Sequence, residues 1–194
     1  MEYDTLTALI VVDMQNDFAD PRGSFYVQGG EQIIDRINEE IEAARRATST
    51  IVYTQDWHPM RTPHFDIDGG RWPVHCVRDT WGAELHPRLT RIEEALVVKK
   101  GLDDNDDGYS AFTVHDKSTG AVTPTGLGLT LWDRGIIRAA VVGLAEDVCV
   151  KATALDARKH DLITTIISAA TRPVDEETVE ASRETMRRAG ITFE

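Results

Sequence analysis

The chain has 194 residues with 21 basic and 33 acidic side chains, a formal net charge of −12 and 41% hydrophobic residues, which suits one ordinary globular domain spanning residues 1–194. That charge repels nucleic-acid backbones and anionic lipid heads, so neither is an expected partner. No apolar run approaches the roughly 20 residues of a membrane span, the start Met1-Glu2-Tyr3-Asp4 lacks the basic residues of a secretion signal, and the two cysteines, Cys76 and Cys149, are too few for a disulfide scaffold, so a reduced, cytoplasmic protein is expected.

In chain order, residues 9–12 read as a strand buried on both faces. Residues 31–47 follow as a helix with Ile33, Ile34, Ile37, Ile41 and Ala44 in one stripe and Arg45-Arg46 at the negative end of its dipole. Further strands are expected at 51–54, 96–98, 139–143 and 162–167, with a short sixth at 191–193. Pro173 and Asp175-Glu176-Glu177 open a helix that ends at Arg187-Arg188, with Gly190 as its stop. Strands separated by helices imply right-handed crossovers. The expected fold is α/β: a three-layer αβα, Rossmann-like arrangement with a six-stranded, mostly parallel sheet and helices on both faces.

Two segments, 55–88 and 101–123, are too long for plain connections, and long loops in compact domains usually serve function. In such a sheet the ligand crevice lies outside the carboxyl ends of the strands. Asp13 stands after the first strand, Asp56 and His58 after the second, Lys99-Lys100 after the third and Cys149 after the fourth. Taken singly, Asp13 could cap a turn, Lys100 could be a solvated charge and Cys149 a small core residue. Together they bring reactive groups to one rim.

Cys149 falls where a strand hands over to a helix, whose N-terminus favours an anion by roughly 0.3–1 kcal/mol, so a thiolate is expected to gain there. In Asp56-Trp57-His58 alternate residues project to one side and can share a metal, and His64 and His75 in the following loop can complete the site. One carboxylate and three imidazoles suit Zn²⁺, Fe²⁺ or Mn²⁺ alike. Asp103 to Gly108 imitates the first half of a calcium loop, but position twelve is Val114 where a bidentate Glu belongs, so an acidic, flexible lid or turn is expected instead.

The motif Val12-Asp13-Met14-Gln15-Asn16-Asp17-Phe18 resembles the opening of the isochorismatase-like cysteine hydrolases. Gln55-Asp56-Trp57-His58, Trp72-Pro73-Val74-His75-Cys76, Lys100-Gly101 and the run from Val142 to Cys149 resemble that superfamily's later motifs, in the right order over nearly the whole chain. Within it the chain looks most like the nicotinamidase/pyrazinamidase family, which joins an Asp/Lys/Cys triad to a metal. It departs from many relatives at Glu146-Asp147-Val148 and in the acidic stretch 100–109.

The resemblance implies a metal-containing amidohydrolase of NAD salvage that turns nicotinamide or pyrazinamide into the acid and ammonia. Asp13, Lys100 and Cys149 are the implied catalytic residues, and one divalent ion is implied on Asp56, His58, His64 and His75, with no organic cofactor. It also implies neighbouring first and fourth strands, a cis Leu144–Ala145 peptide, and an oxyanion hole from the N–H groups of Ala145 and Cys149. Phe18 and Trp72 would flank the ring and Tyr109 would line the pocket, although aromatics also pack in ordinary cores. Relatives form homo-oligomers. The alternatives are a relative hydrolysing isochorismate, a ureide or a carbamoyl compound, and a non-catalytic ligand-binding domain on the same fold.

Overall fold

A computed structural model describes residues 1–194. Its strands are β1 (Thr7–Val12), β2 (Thr50–Asp56), β3 (Leu96–Lys100), β4 (Thr113–His115), β5 (Val122–Pro124), β6 (Arg138–Leu144), β7 (Ile163–Arg172) and β8 (Thr192–Phe193). Six of them form one sheet in the order β3-β2-β1-β6-β7-β8. Every pairing in it is parallel, so the sheet expected to be mostly parallel is wholly so.

The alternation of side chains along β1 explains its central place. Leu9 and Val11 enter one apolar layer and Ala8, Ile10 and Val12 the other, so the strand needs cover on both faces. The first layer is closed by α2 (Ile34–Arg46), which buries Ile34, Ile37, Ile41 and Ala44; a tight 3₁₀ turn, Gly30–Ile33, forms the start of the expected 31–47 helix. It follows the short α1 (Asn16–Ala19). The second layer takes Leu127 and Leu131 from α3 (Leu127–Asp133), Ala154 and Ala157 from α4 (Lys151–Lys159), and Met186 from α5 (Val179–Arg188). No helix is long and apolar enough to cross a membrane.

Three features differ from the sequence reading. The helix expected to open at Pro173 begins only at Val179, because the N–H groups of Val174 and Asp175 are taken by the Asp147 carboxylate. The antiparallel β4–β5 hairpin has only partly buried or exposed residues and so no apolar alternation to betray it. Helix α3 buries just Leu127 and Leu131, too little for a stripe.

The sheet's order reverses at β1, which pairs with β2 on one side and β6 on the other, as the resemblance implied. The two central strands approach closely at Gly143. Its φ is +109°, and a Cβ there would lie 2.1 Å from the Val12 carbonyl oxygen.

Candidate active site

Strand ends deliver the reactive groups. Asp13 follows β1 in a left-handed conformation, φ 47°. Asp56 and Lys100 are the last residues of β2 and β3, paired in register, rather than lying beyond the strands. After β6 comes a cis Leu144–Ala145 peptide, then a wide π-type turn, Glu146–Val150, that carries Cys149 ahead of α4. The Cys149 sulfur and carboxylate oxygens of Asp13 and Asp56 lie within 4.8 Å of one another.

Lys100 ties this cluster together. Its buried ammonium donates to Asp13 Oδ2 at 2.7 Å, Asp56 Oδ1 at 2.5 Å and the Gly108 carbonyl at 2.5 Å, one acceptor for each proton. Thr54, which sequence reasoning missed, donates its hydroxyl to Asp13 Oδ1 at 2.5 Å and accepts the Asp13 N–H at 3.1 Å. A Thr directly after the apolar run Ile51-Val52-Tyr53 gives no signal of such a role.

Burial sets the proton inventory. It pushes the Asp13 carboxyl up to about 6, with Lys100 pulling the other way and Asp56 adding to the rise. Burial acts on Asp56 too, yet Lys100, His58 and His75 together hold that carboxyl well below its ordinary range. Lys100 stays above the usual lysine range despite burial, because two carboxylates face it.

The Cys149 thiol is driven well above its normal value by burial, and Lys100 offsets this only in part. The expected preference for thiolate is therefore corrected. A helix terminus contributes roughly 0.3–1 kcal/mol, less than the ~1.4 kcal/mol of one pK unit, and Cys149 sits buried in a turn before the α-helix starts. Burial thus favours the thiol over the thiolate at Cys149.

The second cluster fits a divalent ion. One ring nitrogen from each of His58, His64 and His75 lies within 4.8 Å of the others. Asp56 Oδ2 stands 3.7 Å from His58 Nε2 and 3.8 Å from His75 Nε2, too far to hydrogen-bond but close to the ~3.3 Å edge of a tetrahedron with metal bonds of about 2.0–2.1 Å. Both ring nitrogens of His58 are buried without a partner, a cost that coordination would remove. His75 Nδ1 pairs with the Pro73 carbonyl at 2.6 Å, leaving Nε2 toward Asp56.

Burial, with His58 beside it, lowers His64 to about 2, so its imidazole is neutral, the ligating form. Gly101 forms part of the cradle: at φ +66°, a Cβ would lie 2.3 Å from His58 Cε1. The donor set of three imidazoles and a carboxylate does not select among Zn²⁺, Fe²⁺ and Mn²⁺.

Phe18, Trp72 and Tyr109 line one pocket with Cys149, Asp56, His64 and His75. Trp72 Nε1–H donates to the Tyr109 hydroxyl at 2.9 Å, joining the two long loops across it. Ala145 reaches the same pocket, and its carbonyl accepts the N–H groups of Val148 and Val150. Sequence reasoning missed Phe25, Val27, Leu144, Val148 and Val174 as lining residues. Phe25 packs on Phe18 and Trp72 at ring distances of 5.8 and 5.2 Å; nothing periodic marks it in its loop.

The acidic 103–107 stretch forms a turn, one of the two forms expected, with Asp103 and Asp104 exposed and Asp106 and Asp107 buried. The Asp106 carboxylate accepts the Asp103 N–H at 3.0 Å and that of Asp107 accepts the His115 N–H of β4 at 3.3 Å, so these two charges are turned onto backbone N–H groups.

Residues 7–193 match the family model described as the isochorismatase domain. The chain is similar to a nicotinamidase of Acinetobacter baylyi, 40% identical over 87% of this chain and 82% of that one. Among solved structures it is similar to PnC1 from L. infantum in complex with nicotinate, with a TM-score of 0.91 and 36% identity over 100% of this chain and 95% of the other. It is also similar to the pyrazinamidase of Pyrococcus horikoshii in complex with zinc, with a TM-score of 0.87 and 35% identity over 97% and 98%.

Proposed function

Because the chain belongs to the isochorismatase family, we propose that it is a nicotinamidase, a hydrolase of the linear amide C–N bond that converts nicotinamide, and likewise pyrazinamide, to the acid and ammonia. The observation that carries this reading is that Cys149, with Asp13 close by and Lys100 bonded to Asp13, opens onto a pocket lined by aromatics and by His64 and His75. Residues 1–194 act as one domain, in the cytoplasm and in NAD salvage, in keeping with Cys76 and Cys149 both being free thiols.

Asp13 takes the thiol proton as the Cys149 sulfur attacks the amide carbonyl carbon. Burial disfavours a free thiolate at Cys149, whereas Asp13, at about 6 and bonded to Lys100, is ionised at neutral pH and placed to take the proton as the sulfur attacks. The backbone N–H groups of Ala145 and Cys149 hold the carbonyl oxygen as it becomes an anion. Asp13 then gives its proton to the amide nitrogen, the C–N bond breaks and ammonia leaves an acyl thioester on Cys149.

Water, losing a proton to Asp13, attacks that thioester. The S–C bond breaks, the sulfur regains its proton, and the carboxylic acid departs. Lys100 keeps both carboxylates in place throughout. Asp56, His58, His64 and His75 would hold a divalent ion, which would supply Lewis acidity for orienting the substrate ring. Phe18 and Trp72 flank the ring and Tyr109 closes one side.

The test is ammonia release, measured side by side for nicotinamide and pyrazinamide, with pyruvate release from isochorismate in parallel, on protein loaded separately with zinc, iron or manganese. Ammonia from both amides and no pyruvate is expected. Absence of ammonia from nicotinamide with every metal overturns the proposal.

A further inference from the structure

Glu146 and Asp147 precede the nucleophile yet take no part in the steps above, and both carboxylates are buried. Glu146, on the first residue of the turn that carries Cys149, accepts the Thr171 hydroxyl at 2.7 Å and Arg183 Nε–H at 2.5 Å. Arg183 Nη2 adds a second contact at 3.1 Å, making a fork on one carboxylate. Thr171 lies at the end of β7 and Arg183 in α5, so one side chain fastens the nucleophile turn to two elements. An ion buried this far costs more to desolvate than a neutral filler, so packing alone does not call for it.

Asp147 holds the segment that follows β7. Its Oδ1 accepts the Val174 N–H at 2.9 Å and its Oδ2 the Asp175 N–H at 3.2 Å. Val174 lines the same pocket as Cys149, which is itself only 7% exposed.

We propose that the two acids are positioning residues with separate duties: Glu146 fixes the turn that aims the Cys149 sulfur, and Asp147 holds Val174 in place as a wall of the pocket. The inference rests on the amidase reading for its kinetic consequences but not for its geometry. Glu146 acts on the reacting atom, so its loss lowers kcat. Asp147 acts on enclosure of the substrate, so its loss raises KM.

The experiment compares Glu146→Ala, Glu146→Gln, Asp147→Ala and Asp147→Asn in the metal-loaded protein, by steady-state kinetics and by the rate of Cys149 carbamidomethylation with iodoacetamide, read by mass spectrometry. Glu146→Ala is expected to lower kcat and the alkylation rate at least tenfold with KM within twofold. Glu146→Gln, which keeps an acceptor for Thr171 or Arg183, recovers part of both. Asp147→Ala is expected to raise KM at least tenfold with kcat within threefold and to speed alkylation, because the wall no longer shields the sulfur; Asp147→Asn, retaining one acceptor, falls between.

Any other pattern overturns the proposal, including melting temperatures that fall while kcat, KM and alkylation stay within twofold. If Glu146→Ala does not fold, Glu146→Gln decides alone, with a threefold loss in kcat and alkylation as the threshold. If the wild-type protein hydrolyses no amide, the amidase reading fails, and opposite changes in alkylation between the Glu146 and Asp147 variants still decide this one.

Discussion

Two carboxylates and one ammonium share the rim, and Lys100 has no proton left for any other partner. In Lys100→Met, Asp13 and Asp56 become two buried carboxylates without a counter-ion. Breaking a buried pair in this way costs about 3–5 kcal/mol, and one of the two takes up a proton near neutral pH. Urea unfolding of the metal-free variant should show that loss, and turnover should fall about 10³-fold or more because a protonated Asp13 cannot accept from the thiol.

The pH profile follows from the same residue. Burial holds the Asp13 carboxyl at about 6, and the base works only when ionised. So kcat/KM should fall roughly tenfold per pH unit below that value and level off above it. An ion beside Asp56 adds positive charge and moves this limb downward, never upward. An acid limb lying above about 6 in the metal-loaded protein would remove Asp13 from the role. Cys149→Ala should abolish ammonia release, by about 10⁴-fold or more, and leave no alkylation at that position.

At the scale of elements, the loop after β3 supports the histidine that follows β2. Gly101 sits against the His58 ring with a left-handed φ, so Gly101→Ala both strains the backbone and drives a methyl to 2.3 Å from Cε1. Zinc affinity, measured by competition with a chelator, should weaken about 10–100-fold, as for loss of a residue that orients a ligand. Circular dichroism should stay native, because β3 itself is untouched.

The strands were legible from sequence because an apolar run buried on both faces has few other readings, and their carboxyl ends then gave Asp13, Asp56, Lys100 and Cys149 one rim. Asp-x-His spacing pointed to the metal cluster, which the structure brings together. What lay hidden depends on contacts between distant segments. The burial that pushes the Cys149 thiol up, the Thr54 hydroxyl on Asp13 and the Val174 N–H on Asp147 have no local pattern. The β4–β5 hairpin, exposed along β5, has no hydrophobic period to read.

For the whole molecule, the four metal-ligand candidates join a central element to its longest excursion. Asp56 ends β2, whereas His58, His64 and His75 belong to the segment that wanders before the chain re-enters the sheet at β3. An ion there is a cross-link between the rigid sheet and that segment, and it binds the folded state alone. Linkage then fixes the size of its effect: free metal at 100 times its Kd adds about 2.7 kcal/mol. At ~2–4 °C per kcal/mol for a domain of this size, chelation should lower Tm by about 5–11 °C. Cys149→Ala removes the nucleophile but no ligand, so calorimetry should show the same chelator-dependent shift for it. His64→Ala should lose most of the shift while remaining folded, because His64 lies in the excursion and not in the sheet. An unchanged Tm on chelation of fully loaded wild-type protein would mean that the ion does not hold the excursion to the sheet, and the aromatic pocket built from that excursion would then have to owe its shape to side-chain packing alone.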